Sequence, residues 1–404
     1  MHHLLGQCVG LINHGPWKSV RSVTEVPFVA STSRSHIQLI TTRTQEYFEA
    51  LLAQADGNLA RGLIDPVQDL KLLPFRIVTD IIYGRLDEAA QQELEELIPL
   101  REGLWRQMIA GGITRFWCAQ YLPLKVNAQL RQWKTRWGRF NDARAAEEAT
   151  LRKVKGSSDA IAPITLMYDS VRQGTLTREQ LLQTIDEMLF ANLDVTMGGV
   201  SWNLVFLASS PAVQAQLRTE VAVHRQASLE SSKEAADPFA KFLQSSSSLL
   251  NACILESARL RPLAAFSVPQ SAPSERTVGG AGGPGMGFVV PKGVSFIIDT
   301  RALNIYQPFW GTSREESVNF RPGRHMELRR TDMRYQYWRF GFGPRQCMGK
   351  YVADLIMRVL LVHLVEEYQL ALLPEDVGAD WGRDGASWIV HPKITLQCKR
   401  RDMN

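Results

Sequence analysis

Apolar residues recur at three- and four-residue spacings from Trp17 to about Glu220, which predicts a mostly helical stretch. Leu70 to Leu86 is one such segment. Leu181 to Leu207 is the longest strongly apolar one and predicts a single continuous helix. Thr177, with Gln180 three positions on, has the pattern of a capping box that starts it. Pro211 either closes that helix or begins the next, after Ser209-Ser210. Residues 226–248 are rich in Ser, Ala and charge and predict a surface loop with a short helix. A compact helix follows over Leu250 to Leu260, stopped by Pro262.

The period then changes. Thr277-Val278, Phe288-Val289-Val290 and Val294 to Ile298 are short β-prone runs punctuated by glycine and proline. An irregular arginine-rich stretch follows Phe320. A final amphipathic helix is expected from about Met348 to Tyr368, and Ile389 to Gln397 reads as a closing hairpin. The fold class is therefore mainly α with a small, late β portion, and no internal repeat is visible.

Composition narrows the function classes. The chain has 404 residues, 45% hydrophobic and 22% charged, with 46 Lys+Arg against 41 Asp+Glu. This is too even for a dedicated nucleic-acid binder and too apolar for disorder. Cys8, Cys118, Cys253, Cys347 and Cys398 are odd in number and scattered. They signal neither a disulfide framework nor a zinc site, and fit a reducing compartment. No apolar run reaches the about 18 residues of a spanning helix, and the first residues lack the features of a signal peptide.

The densest chemistry lies in Phe340-Gly341-Phe342-Gly343-Pro344-Arg345-Gln346-Cys347-Met348-Gly349. One cysteine ends a glycine-rich loop directly before a helix. Gly343 and Gly349 carry no Cβ and would let backbone approach a flat ligand. N–H groups near a helix start favour a thiolate, the form that binds metal. Arg345 offers fixed positive charge to an anionic ligand group. The segment matches F-x-x-G-x-R-x-C-x-G without a departure and resembles the heme-binding signature of the cytochrome P-450 monooxygenases. The resemblance implies heme as cofactor, with Cys347 as the metal ligand and Phe340, Gly343, Gly349 and Arg345 around it.

Further matches follow the family's order. Glu256-Ser257-Ala258-Arg259 places Glu and Arg three apart on one helix face, where they can pair. It resembles the family's E-x-x-R. Phe320-Arg321-Pro322-Gly323-Arg324 is similar to the F-x-P-x-R segment, and the resemblance implies a structural triad of Glu256, Arg259 and Arg324. Trp17-Lys18-Ser19-Val20-Arg21 puts an indole N–H and a guanidinium on one face, within reach of the same carboxylate. It resembles the W-x-x-x-R that binds heme propionates.

Ala191-Asn192-Leu193-Asp194-Val195-Thr196 lies in the long apolar segment, where an acid is costly unless paired, hydrated or used. It is similar to A-G-x-[DE]-T-[TS], and the resemblance implies proton delivery by Asp194 with Thr196. Two residues depart from the pattern. Asn192 replaces the usual glycine and Val195 the usual threonine. On a continuous helix Thr196 stands about 100° from that slot, and either bonds its own helix carbonyl or takes part in the relay. Gln270 stands where the family often has an arginine for a propionate.

Other patterns are set aside. Gly280-Ala281-Gly282-Gly283-Pro284-Gly285 satisfies G-x-G-x-x-G but opens no helix, so a hairpin insertion is expected rather than a dinucleotide site. The seven arginines from Arg321 to Arg345 suit heme propionates and an acidic electron donor better than nucleic acid. Lys399-Arg400-Arg401 reads as a solvated tail.

The resemblance implies one cytochrome P-450 heme domain over 1–404, with a helical part over 1–260 and a β-containing part over 261–404. It also implies a fold lacking the N-terminal anchor, first helices and first sheet strands, because the W-x-x-x-R motif begins at residue 17. The expected enzyme oxidises a lipophilic small molecule of fungal secondary metabolism, with electrons from NADPH through a cytochrome reductase. It works at the cytosolic face of the endoplasmic reticulum membrane, which the full-length family reaches through the anchor this chain lacks. Coupling or cyclisation is an alternative to hydroxylation, and a truncated, non-catalytic heme-binding remnant is the reading from another class. Substrate determinants are expected at 105–124, near Phe190, and at Leu263 to Val268.

Overall fold

The computed structural model describes residues 2–155, 162–231, 237–279, 287–379, 381, 389 and 391–401. The glycine-rich run 280–285 lies outside these, as does Val390 within the expected closing hairpin. Among the described residues the longer helices are α1 (His14–Thr24), α2 (Ile37–Leu52), α3 (Leu72–Tyr83), α4 (Glu88–Glu96), α5 (Ile98–Ala110) and α6 (Lys125–Lys155). They continue with α7 (Pro163–Arg172), α8 (Arg178–Phe190), α9 (Val195–Ala208), α10 (Pro211–Glu230), α11 (Leu249–Leu260) and α12 (Lys350–Glu367). The strands are short and mostly late: β1 (Leu63–Ile64), β2 (Gln270–Ser271), β3 (Arg276–Val278), β4 (Phe288–Val290), β5 (Ser295–Phe296), β6 (Tyr368–Leu372) and β7 (Leu396–Arg400).

The chain divides into two compact units that interleave along the sequence. One comprises 1–47, 71–196 and 348–356; the other comprises 48–70, 197–347 and 357–404. In the first, Trp133, Trp137 and Phe140 recur along one face of α6 and stack, with ring centroids 5.2 and 6.1 Å apart. Phe190 meets Trp133 edge-on at 5.4 Å and Phe75 at 5.6 Å. Buried Tyr83 donates its hydroxyl to Asn141 Oδ1 at 2.8 Å, so the phenol pays no orphan penalty. Phe190 is thus packed among the rings of this core.

In the second unit, β1, β7 and β6 form an antiparallel sheet in which Ile64 faces Leu396 and Leu372 also faces Leu396. The chain therefore does not close as a hairpin over 389–397. Its last strand pairs back to Tyr368–Leu372, because alternating Leu396 and Cys398 are buried there. Lys399 and Arg400 belong to that strand with solvent-facing side chains, and Arg401 N–H donates to Glu367 O, so they are not a free tail. The expected β runs pair in two ribbons, β3 with β4 and β5 with β2, a strand that the sequence pattern did not predict.

The expected helix over Leu181 to Leu207 is interrupted. Thr177 caps α8 with both hydrogen bonds of a capping box. After Phe190 the chain tightens into a 3₁₀ turn, Ala191–Leu193, and Asp194 leaves helical geometry at φ −123°, ψ −66° before α9 begins. Pro211 then starts α10.

Candidate functional site

In the second unit, the glycine-rich loop is closed by one backbone bond: Cys347 N–H donates to Phe340 O at 2.8 Å. The turn between them needs left-handed backbone at Gly341 (φ 77°) and Gly343 (φ 71°), which glycine adopts freely. Gly343, Pro344 and Arg345 form a 3₁₀ turn, and Trp338 packs edge-on against Phe342 at 5.0 Å. The Cys347 side chain is left exposed. A Cβ at Gly343 or Gly349 would meet only open space.

The loop is anchored at its start. Asn304 accepts the Trp338 N–H at 2.7 Å and returns its amide to Trp338 O at 2.8 Å. Asn304 is held in turn by Arg259, whose Nη1 donates to the Asn304 carbonyl at 3.0 Å. Arg259 grips Glu256 with two bonds, Nε to Oε2 at 2.8 Å and Nη2 to Oε1 at 2.9 Å. Arg324 Nε adds a third at 2.9 Å, while its Nη1 donates to Trp310 O and its Nη2 to Glu316 O. The structure thus brings Glu256, Arg259 and Arg324 together.

Two donors to Glu256 were not foreseen: the Arg321 N–H at 3.1 Å and His325 Nε2 at 3.0 Å. Burial alone would raise the Glu256 carboxyl. The bonds from Arg259 and His325 outweigh it and bring the group down to about 2. Burial lowers His325 and favours its neutral form. Its Nδ1 is buried with no partner, so the proton sits on Nε2, where it has an acceptor. The only sequence signal for His325 is its place next to Arg324; Asn304 has no motif at all.

In the first unit, the interrupted helix carries the other candidates. Asn192 is buried and donates its amide to Met188 O at 2.7 Å, serving a carbonyl at the end of α8. Its Oδ1 accepts the Thr196 hydroxyl at 2.8 Å. Thr196 therefore bonds neither a carbonyl of its own helix nor the accessible side. Val195 is 41% exposed, and Asp194 is half-buried beside it. Trp17 and Arg21 lie on one face of α1, the guanidinium 5.9 Å from the ring centroid, and Arg21 Nε also donates to Glu25 at 2.7 Å. That i,i+4 pairing was open to reading from the sequence.

The arginine-rich stretch sorts by role. Arg324 belongs to the Glu256 cluster, while Arg321 pairs with Glu327 and Arg329 with Asp332. Arg339 lies over Phe340 at 4.4 Å. Arg345 is half-buried in the cysteine loop, and Gln270 is exposed on β2.

This geometry fits the group that the motif implies. A single soft sulfur is presented outward from a rigid loop whose glycines leave room for a flat face, and thiolate is a ligand suited to iron. No helix among the described residues is long and apolar enough to cross a membrane.

Comparison with known proteins agrees. A family model described as "Cytochrome P-450" matches residues 3–393. The chain is 47% identical over 403 residues to the cytochrome P-450 monooxygenase aclC of Aspergillus oryzae, covering 99% of this chain and 76% of that protein. It is 41% identical to the cytochrome P-450 monooxygenase asaD of Aspergillus flavus, covering 99% and 72%. It is 36% identical to the cytochrome P-450 monooxygenase roqR of Penicillium rubens, covering 96% and 72%. A crystal structure of a cytochrome P-450 shares the fold at a TM-score of 0.75 and 19% identity, over 99% of this chain and 86% of that one.

Proposed function

Because the chain belongs to the cytochrome P-450 family, whose heme is held by a cysteine thiolate and reduced through a reductase, we propose that it oxidises a lipophilic small molecule of fungal secondary metabolism with Cys347 as the iron ligand. The observation that carries the assignment is the exposed Cys347 thiol at the end of a loop closed by Phe340 O. Bound heme supplies the activation of dioxygen, its thiolate pushing electron density toward O–O cleavage. The chain's own residues do the rest.

Glu256, Arg259 and Arg324 hold the loop through Asn304 and do not touch substrate. Trp17, Arg21 and Arg345 supply the N–H donors and positive charge for the propionates. Asp194 delivers protons. Thr196, bonded to Asn192, keeps the helix break in place and so sets where Asp194 stands. NADPH is the electron source through a cytochrome reductase, and the enzyme works at the cytosolic face of the endoplasmic reticulum membrane.

Val195 favours a second outcome. It places a methyl-bearing side chain, not a hydroxyl, on the accessible side next to Asp194. With proton supply reduced, substrate coupling or ring closure competes with hydroxylation. The reduced, carbon-monoxide-bound spectrum of wild type and Cys347→Ser tests the ligand: the thiolate signature is expected only in wild type. Substrate-dependent NADPH consumption with added reductase, followed by product analysis, separates an enzyme from a heme-binding remnant. Consumption that stays at background in a thiolate-ligated protein overturns the enzymatic reading.

A further inference from the structure

Ala302–Tyr306 is a π-helical turn, in which a carbonyl takes its donor from the fifth residue on. For the Leu303 carbonyl that residue is Pro308, which has no N–H. The indole of Trp310 fills the place: its Nε1 donates to Leu303 O at 3.1 Å. The same N–H also donates to Gln336 O at 2.9 Å. Gln336 lies on the chain that leads into the cysteine loop, just before Tyr337 and Trp338.

A buried indole N–H needs one acceptor, and buried Trp310 has two, on separate segments. Its other groups are engaged as well. The Trp310 carbonyl accepts Arg324 Nη1 at 2.7 Å, and the Arg259 guanidinium lies 5.0 Å from its ring centroid. Tyr337 meets the ring edge-on at 6.1 Å and donates its hydroxyl to Leu255 O at 3.0 Å. Trp338 follows, held through its N–H and its carbonyl by Asn304 of the π turn. Residues 336, 337 and 338 are thus each tied to an anchor outside the loop. Phe340, whose carbonyl closes the loop onto the Cys347 N–H, comes directly afterwards.

The two arginines hand this hold on rather than make it. Arg259 and Arg324 donate to Glu256 and to the carbonyls of Asn304, Trp310, Glu316 and Asn319. The step from there to the loop is made by the Asn304 amide and the Trp310 indole. Asn304 grips residue 338, and Trp310 ties residue 336 to the carbonyl just before Asn304. Loss of the indole N–H removes one donor from two carbonyls at once and lets the loop entry slip against the π turn.

We propose that Trp310 is a positioning residue for the thiolate: its indole N–H fixes the register of the cysteine loop against the π turn and so holds the Cys347 sulfur where it ligates iron. This rests on the assignment of Cys347 as the ligand. The test uses the heme-loaded full chain and Trp310→Phe, which keeps an aromatic ring beside Arg259 and removes the N–H. Hydrogen exchange, followed by mass spectrometry on peptides covering 336–349, reads the loop. Peptides from β6 and β7 in the same unit are the reference. Exchange over 336–349 is expected to speed up about tenfold, the factor of one hydrogen bond of ordinary net strength, with β6 and β7 unchanged. The thiolate fraction in the reduced, carbon-monoxide-bound spectrum should fall with it. A second variant, Trp310→benzothienylalanine, keeps the ring's shape with sulfur in place of N–H and decides the matter if Trp310→Phe does not fold. Equal acceleration in both regions marks a merely structural role and overturns the proposal, as does exchange at the wild-type rate. An intact thiolate signature in wild type and variants, with unchanged exchange, sinks this inference alone, whereas its absence from wild type overturns the Cys347 assignment as well.

Discussion

His325 Nε2 stands 3.0 Å from Glu256 Oε2, a neutral imidazole completing a carboxylate that already serves two guanidinium groups. Both side chains are fully buried, so a lost bond is not replaced by water. His325→Leu is expected to lower unfolding stability by about 2 kcal/mol, the range for a hydrogen bond to a charged group. Urea unfolding measures it. A change within about 0.5 kcal/mol would show that the imidazole contributes nothing.

Glu256 gives the fold a defined acid sensitivity. Its folded value, about 2, lies below its ordinary value of 4.5. A depressed carboxyl contributes stability that is present above the unfolded value and is lost as pH falls through the folded one. Glu256→Gln leaves Arg259 and Arg324 without their anion and should cost about 3–5 kcal/mol at neutral pH. The gap to wild type should narrow between pH 4.5 and about 2. A gap that is constant with pH contradicts the assignment.

How far these features were legible follows from their range along the chain. The cysteine loop was legible because its residues are contiguous. The Glu256–Arg259 pair was legible because it spans one helical turn. Arg324 lies 68 residues from Glu256 and was reachable only through family resemblance. His325 was not, since a histidine beside an arginine has no distinctive pattern. The helix break was missed because apolar residues continue on both sides of it, from Leu189 to Phe190 and from Met197 onward. Asn192, a residue whose amide competes with backbone bonds, was the available signal. The pairing of β7 with β6 was missed because strand partners are chosen by burial at long range, not by local spacing.

Asn192→Ala removes the donor to Met188 O and the acceptor of the Thr196 hydroxyl together. The buried hydroxyl and carbonyl are then orphaned, at about 1–3 kcal/mol. Thermal unfolding should show the loss. If stability is unchanged, the 3₁₀ turn is held by something other than this amide.

Val195→Thr restores a hydroxyl on the accessible strip beside Asp194. The expected outcome is less peroxide released per NADPH consumed and a shift of products toward oxygen insertion. Asp194→Asn should lower turnover by about 100-fold, in the range of a lost general acid, with the carbon-monoxide spectrum unchanged. An unaltered product profile in the first variant, or unaltered turnover in the second, removes these residues from proton delivery.

The hydrogen bonds around Glu256 also order events in time. The carboxylate waits for donors 65 to 69 residues further along the chain, and Asn304 for a partner 34 residues on. Closing loops of that length costs entropy before any bond is gained, so contacts of this kind form late. The cysteine loop therefore takes its shape from contacts outside its own sequence, and a substitution at Glu256, Asn304 or Arg324 reaches it without touching any of its residues.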